Sequence, residues 1–169
     1  MKQDNLRIGI DIGRVLIGPV VGGRADTSFL GSSLEQAVRT PPAPGAFALV
    51  HDLWERTRGQ VWLVSKCGPG VQAKTLAWLE HQGFHARTGM ERSHVRFCRK
   101  RPDKAQHAHE LGLDCFLDDR VDVLRHLRPV VGQLLLFGEQ ERRAPDWTTP
   151  LLDWVEVRAW FEAELGLGG

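Results

Sequence analysis

The sequence has few cysteines, no long apolar run and almost no net charge, and each of these absences excludes a class of protein. The three cysteines are far apart and form no CxxC pair, so neither a disulfide framework nor a zinc ribbon is indicated. No apolar stretch is long enough to span a bilayer, and the first residues contain no apolar segment typical of a signal peptide. We therefore expect reduced thiols, no membrane segment and a cytoplasmic location.

The formal net charge of +1 provides no overall attraction to nucleic acid or to a membrane. Glycines follow the first apolar segment, but not in the GxGxxG order that a dinucleotide site requires. No internal repeat is present, and 169 residues are enough for about one domain. We expect a single domain over 1–169, and the sequence leaves its oligomeric state open.

Short apolar runs alternate along the chain with segments of helical period. The predicted strands are 6–12, 60–65, 94–98, 115–117 and 133–137. The predicted helices lie between Gly45 and Gly59, over 70–82 with Leu76 and Leu79 inward, over 103–111 and 121–127, and over 148–166 at the C-terminal end. Strands that are apolar throughout and separated by helices are typical of a parallel sheet covered on both faces. The expected fold is therefore a doubly wound α/β domain flanked by helices.

Polar side chains stand at the ends of three of these predicted strands. Asp11 ends the first strand, Ser65 the second, and Asp118 with Asp119 the fourth, while Lys104 precedes the fourth strand. Each alone is more typical of a helix cap, a turn or the surface, but parallel sheets bind ligands at the carboxyl ends of their strands. Clustered carboxylates attract a hard cation such as Mg²⁺, and an aspartate can attack phosphorus. The pattern predicts a magnesium-dependent phosphate site.

The same residues fall in segments that resemble the motifs of the haloacid dehalogenase-like (HAD) superfamily. DIGRVL at 11–16 resembles the first motif, hhhDxDx(T/V)L, and 42–68 resembles the unit that leads to the Ser or Thr of the second. RPDKAQHAHELGLDCFLDDR at 101–120 resembles the lysine of the third motif followed by the acidic pair of the fourth. The resemblance covers roughly 7–137. The short interval between Lys104 and Asp118 is similar to that in 5'-nucleotidase-like and polynucleotide-phosphatase-like members.

The resemblance implies a phosphohydrolase that forms an aspartyl-phosphate, and it implies a role for each matching residue. Asp11 would be the nucleophile and a Mg²⁺ ligand, and Ser65 and Lys104 would act on the transferring phosphoryl group. The other implied metal ligands are the carbonyl of Gly13 and the carboxylates of Asp119 and Asp118, of which either acid is a candidate. Further candidates are Lys66 and Arg14 for phosphate binding and Asp122 for orienting the metal ligands from behind.

One position departs from the pattern of the resembled family. Most phosphatases of that family have a second aspartate two residues after the nucleophile, which acts as general acid and base, whereas this chain has Gly13. Loss of a positioned acid or base costs on the order of 10²–10⁴-fold in rate. Three interpretations stay open: a phosphatase with another proton source or an easily expelled leaving group, an impaired protein that binds a phosphorylated ligand or partner, and a dehalogenase-like enzyme.

Two further segments bear on the substrate. The interval 17–42 suffices for a flap but not for a large cap domain, so we expect an open site that accepts bulky phosphorylated substrates. Arg24 in this interval is either a contact to substrate or part of a plain surface loop, which is the more common role for such a residue. A basic run at 96–104 holds Arg96, Arg99, Lys100, Arg101 and Lys104 near the expected site. It is either a solvated turn or a patch that attracts phosphate, with a nucleotide or a nucleic-acid end as the possible ligand.

Overall fold

The computed structural model describes residues 5–18, 20–21, 24–25 and 33–166. The strands are β1 Ile8–Ile10, β2 Val20–Val21, β3 Arg24–Ala25, β4 Val61–Lys66, β5 Val95–Cys98, β6 Cys115–Asp118, β7 Gln133–Phe137 and β8 Thr149–Leu151. The helices are α1 Leu34–Val38, α2 Ala46–Arg56, α3 Pro69–His81, α4 Phe84–Thr88, α5 Asp103–Leu111, α6 Val121–Leu127 and α7 Trp154–Leu165, with a 3₁₀ turn at Arg92–His94.

Six of the strands form one parallel sheet in the order β5-β4-β1-β6-β7-β8. The chain runs outward from β1 through β4 to β5, and then returns to the other side of β1 through β6, β7 and β8. The strand order therefore reverses between β1 and β6, which is where open α/β sheets bind their ligands.

The strand sequences place apolar residues on both faces of the sheet, as expected for a sheet between two helical layers. Ile8, Ile10 and Leu63 belong to one buried cluster, which also contains residues of α2 and α7. Trp62, Val64 and their neighbours belong to a second cluster, which contains residues of α5 and α6. Alternate residues of the strands thus contribute to different layers, and the predicted doubly wound fold is confirmed.

The C-terminal end differs from the prediction. A helix was expected over 148–166, but the helix begins at Trp154, and Thr149–Leu151 form the edge strand β8 beside β7. The Thr-Pro pair resembles a helix start, yet Asp153 is the residue that caps the helix by accepting a hydrogen bond from the Glu156 amide. Pro150 has no N–H to donate, which an edge strand tolerates.

Two smaller differences concern the segment after β4. Leu76 was expected to point inward, but it is 43% exposed, and Trp78 is the buried residue of that helix beside Leu79. The short helix α4, which follows the left-handed Gly83, was not predicted. Of the helices in the described part of the chain, none has the length and apolar character needed to cross a lipid bilayer.

Part of the predicted flap at 17–42 is described. Its backbone forms the antiparallel pair β2–β3, a bridge between Ile17 and Pro42, and the short helix α1, which Ser33 caps. Residues 19, 22–23 and 26–32 lie outside the described residues, and so does the side chain of Arg24. Its expected contact with substrate therefore stays a prediction.

Candidate functional site

The three predicted strand ends meet where the strand order reverses. Asp11 directly follows β1, Ser65 lies in the neighbouring β4, and Asp118 is the last residue of β6 on the other side. The Asp11 amide donates to the Leu117 carbonyl at 2.9 Å, which ties the end of β1 to β6. Three short buried strands in parallel register thus bring together two carboxylates and a hydroxyl.

Lys104 joins the two buried aspartates. Its Nζ lies 2.9 Å from Oδ1 of Asp11 and 2.8 Å from Oδ2 of Asp118, and the residue is only 2% exposed. Burial alone would lower the pKa of Lys104, but the two carboxylates outweigh it and raise that pKa above its ordinary value. The lysine is therefore a buried, permanent cation that holds one oxygen of Asp11 in a defined place.

An aromatic ring supports this lysine from the sheet. The Nζ of Lys104 lies 5.5 Å from the centroid of the Phe116 ring, within cation–π range. That ring occupies the space beside Gly9, where a Cβ would lie 2.5 Å from the ring edge. Close packing therefore requires glycine at position 9. A series of contacts, from Gly9 to Phe116, from Phe116 to Lys104 and from Lys104 to Asp11, connects the sheet to the site.

The adjacent acids of the fourth motif differ in environment. Asp118 is 1% exposed, and both of its oxygens are bonded, Oδ2 to Lys104 and Oδ1 to the amide of Arg120 at 3.0 Å. Burial, assisted by the charge of Asp11 and opposed by Lys104, raises the pKa of Asp118. Asp119 is partly exposed, and burial together with Asp11 raises its pKa to about 6, against the lowering effect of Arg120 and Arg14.

The acidic cluster suits a hard divalent cation. Asp11, Asp118 and Asp119 each place one carboxylate oxygen within 4.8 Å of the others. Three carboxylates face one ammonium group, so the cluster has surplus negative charge that a divalent ion would neutralise. Oxygen donors of this kind are the ligands that Mg²⁺ prefers. The residues present therefore fit the predicted metal.

Ser65 is also buried, at 6% exposure, and lies beside a thiol. Its side chain hydrogen-bonds Cys67, and that bond and Arg99 partly offset the burial that raises the pKa of the Cys67 thiol. A thiol with a raised pKa is a poor nucleophile. Cys67 is therefore a packing neighbour of Ser65 rather than a reactive group.

The remaining predicted residues lie around this centre. Gly13 and Arg14 are exposed on the loop after β1, and Arg14 has a left-handed backbone with φ of 60°. Lys66 is exposed at the end of β4. Asp122 pairs with Arg101, so the contact that the structure assigns to Asp122 is with the basic run and not with the three clustered acids.

Most cations of the basic run have intramolecular partners. Arg96 lies 3.6 Å from Glu110, Arg99 donates to the Cys67 carbonyl at 2.7 Å, and Arg101 pairs with Asp122. These contacts fix the turn after β5 and favour a structural role for the run over a patch that attracts phosphate.

Two groups near the site were not predicted. Arg120 lies close enough to Asp119 to stabilise its ionised form, and its position directly after the acidic pair is the sequence signal that would have identified it. Gln140 donates to the carbonyls of Asp119 and Phe137, both at 3.1 Å. It thereby ties the loop after β7 to the site. A groove of about 1500 Å³ extends from Asp119 along this loop.

The comparisons with known proteins give the fold. No family model and no curated protein sequence matches the chain. Among solved structures, the D,D-heptose 1,7-bisphosphate phosphatase of B. bronchiseptica, in complex with magnesium and phosphate, is similar with a TM-score of 0.67 and 15% identity, over 95% of this chain and 99% of that one.

A HAD family hydrolase from Deinococcus radiodurans R1 with bound phosphate and sodium has a TM-score of 0.62 and 14% identity, over 98% of each chain. A haloacid dehalogenase-like hydrolase from Xanthomonas campestris has a TM-score of 0.59 and 11% identity, over 96% of this chain and 98% of that one. The chain thus has the fold of the HAD superfamily hydrolases, as the motifs predicted. The similarity to 5'-nucleotidase-like members stays a prediction.

Proposed function

We propose that this protein is a magnesium-dependent phosphohydrolase that cleaves phosphate esters through an aspartyl-phosphate on Asp11. The observation that carries the proposal is the placement of Asp11 at the reversal point of the sheet, with Oδ1 held at 2.9 Å by the buried Lys104. A carboxylate fixed through one oxygen presents the other to phosphorus in a defined direction, which is the main requirement for covalent catalysis.

In the first step, the oxygen of Asp11 that Lys104 does not hold attacks phosphorus, and the bond to the leaving oxygen breaks with its electron pair. In the second step, water attacks the same phosphorus, the bond to Asp11 breaks, and the carboxylate is restored as inorganic phosphate departs. Lys104 and the Ser65 hydroxyl stabilise the charge on the phosphoryl oxygens in both steps.

Asp11, the carbonyl of Gly13 and Asp119 would hold the magnesium ion, which neutralises charge on the phosphoryl group when bound. We assign Asp119 rather than Asp118 as the direct ligand, because both oxygens of Asp118 already accept hydrogen bonds. Asp118 then positions Lys104 and the loop from behind. The structures with the same fold that contain phosphate, one of them with magnesium, support the choice of ligand class.

The second candidate function is binding of a phosphorylated ligand without turnover, and Gly13 is the observation that favours it. A phosphatase screen in Mg²⁺ with an aryl phosphate and an alkyl phosphate separates the two candidates. We expect turnover of at least the aryl ester, its loss in the presence of EDTA, and its loss in Asp11→Asn.

Asp146→Asn is the matched control for that variant, because Asp146 is 95% exposed and only pairs with Arg143 at 3.7 Å. Activity that survives Asp11→Asn would exclude the mechanism, since the aspartyl-phosphate forms on the Asp11 carboxylate. Silence of the wild type on all esters, with phosphate binding retained, would establish the binding role instead.

A further inference from the structure

The site has no acidic side chain two residues after Asp11. Gly13 carries no acid, and apart from its two chain neighbours no described residue has an atom within 4 Å of the place where its Cβ would be. The residues beside it that carry charge are the guanidinium of Arg14 and the clustered aspartates. A guanidinium does not give up its proton at neutral pH. The clustered aspartates have other roles in the proposed function, Asp11 as nucleophile, Asp119 as metal ligand and Asp118 as the partner of Lys104. A leaving group that departs well here is therefore one that is stable as an anion.

The second observation concerns what surrounds the mouth of the site. Arg14 and Arg120 both lie close enough to Asp119 to act on its carboxylate, and both line the groove that opens from it. Within the described residues, neither guanidinium forms an ion pair of 4.0 Å or less. Two exposed arginines therefore line the groove beside Asp119.

The third observation is the size and charge of the groove. At about 1500 Å³ it holds far more than a phosphoryl group, and five arginines line it: Arg14, Arg120, Arg125, Arg142 and Arg143. Its acidic residues are Asp119 itself, Asp122, which pairs with Arg101, Asp153, which caps α7, and Glu139 and Glu141 on the loop after β7. Arg14 and Arg120 are the lining cations that lie near Asp119, so an anionic group that enters the groove there meets two guanidinium groups.

From these observations we propose that the substrates are phosphoanhydrides, in which the leaving group is itself a phosphate bound by Arg14 and Arg120. The inference rests on the proposed function and narrows its substrate class. Arginine binds phosphate through paired, charge-assisted hydrogen bonds. A phosphate leaving group also departs as a stable anion, so it needs no acid at position 13.

The chemistry balances without a further reactant. Asp11 attacks the terminal phosphorus of hydrogen pyrophosphate, the bridging P–O bond breaks, and the electron pair stays on the departing phosphate, which already carries the proton and leaves as hydrogen phosphate. Water then attacks the aspartyl-phosphate, the bond from phosphorus to Asp11 breaks, and the product is a second hydrogen phosphate, with the other proton of the water going to solvent. The products of pyrophosphate are two inorganic phosphates.

The test compares kcat/KM in Mg²⁺ for pyrophosphate, acetyl phosphate, 4-nitrophenyl phosphate and glycerol phosphate. We expect pyrophosphate to exceed the aryl ester by at least about 10-fold and glycerol phosphate to be the poorest, because only pyrophosphate combines an anionic leaving group with phosphate recognition. Acetyl phosphate separates the effect of leaving-group stability from the effect of phosphate recognition, since its carboxylate leaving group is a stable anion but is not a phosphate.

Arg120→Gln and Arg14→Gln should lower kcat/KM for pyrophosphate by about 10- to 100-fold, with a smaller loss on the aryl ester, since each removes one charge-assisted contact. Arg120→Gln retains the backbone N–H that bonds Asp118. Arg92→Gln is the matched control, because Arg92 pairs with Glu80 on the surface and does not line the groove.

Equal losses on pyrophosphate and on the aryl ester, or no preference for pyrophosphate in an enzyme that cleaves the aryl ester, would overturn the inference and leave the proposed function intact. An acetyl phosphate rate equal to that of pyrophosphate, unchanged in the arginine variants, would also overturn it. Silence on all four compounds would instead refute the proposed function.

Discussion

Restoring an acid at position 13 is the most direct test of how the site works. Gly13 is exposed, its backbone is not in the left-handed region, and apart from its two chain neighbours no described residue has an atom within 4 Å of a Cβ built there. Gly13→Asp should therefore fold normally, with a change in unfolding free energy of about 0.5 kcal/mol or less. The new carboxyl lies two residues from Asp11, where it can protonate a leaving oxygen.

A positioned general acid contributes on the order of 10²–10⁴-fold. Apart from its chain neighbours, no described residue packs against a Cβ at position 13, so the new acid is not held by packing and we expect a gain of about 10- to 100-fold, at the lower end of that range. The gain should appear on an alkyl phosphate, whose alkoxide needs a proton, and be small on 4-nitrophenyl phosphate.

Steady-state rates for both esters in Mg²⁺, with Gly13→Asn as the control, measure this effect. Asparagine has the same shape and no acidic proton, so it should not reproduce the gain. An equal gain in both variants would attribute the effect to the backbone. No gain on the alkyl ester, in a folded variant that still cleaves the aryl ester, would refute the idea that the missing acid limits the wild type.

Three further predictions concern the same centre. Lys104→Met should lower the unfolding free energy by about 3–5 kcal/mol, because it leaves Asp11 and Asp118 buried without a cation; chemical denaturation measures this, and a change below about 1 kcal/mol would contradict it. Gly9→Ala should lower the unfolding free energy by about 1–3 kcal/mol, because its Cβ would meet the Phe116 ring at 2.5 Å. Chemical denaturation measures this change as well, and an unchanged unfolding free energy would contradict the prediction. Mg²⁺ at 100 times the wild-type Kd should stabilise the wild type by about 2.7 kcal/mol in thermal denaturation. An equal stabilisation of Asp119→Asn at the same Mg²⁺ concentration would exclude Asp119 as a ligand.

The centre of the sheet could be predicted because its strands are short, apolar on both faces and bounded by helices of clear period. The bounds of α5, α6 and β7 agree with the sequence prediction. The edge strand β8 could not, because three residues that include a proline carry almost no strand signal. It exists because β7 offers it a row of backbone partners, and such tertiary pairing has no local sequence signature.

In the candidate site, too, some residues could be predicted from the sequence and others could not. Asp11, Ser65 and Asp118 could be predicted because each is a polar residue at the end of an apolar strand, and such a position can be located in the sequence alone. Gln140 could not, since it reaches the Asp119 carbonyl from a loop after β7 that contains no recognisable motif. The groove along that loop likewise arises from the packing of separate elements, which no single segment specifies.

Charge and packing together explain why such a site can lack one catalytic group and still be well ordered. The part that must be rigid is the attacking carboxylate, and Lys104 holds it from a buried position supported by Phe116 and Gly9. An acid at position 13 would contribute nothing to that support, because none of the described residues beyond the chain neighbours comes within 4 Å of a Cβ built there. The absence of that acid therefore leaves the nucleophile in place, and the leaving group must then be stable as an anion without receiving a proton. The anion-binding character of Arg14 and Arg120 at the mouth of the site is what makes such a leaving group chemically reasonable.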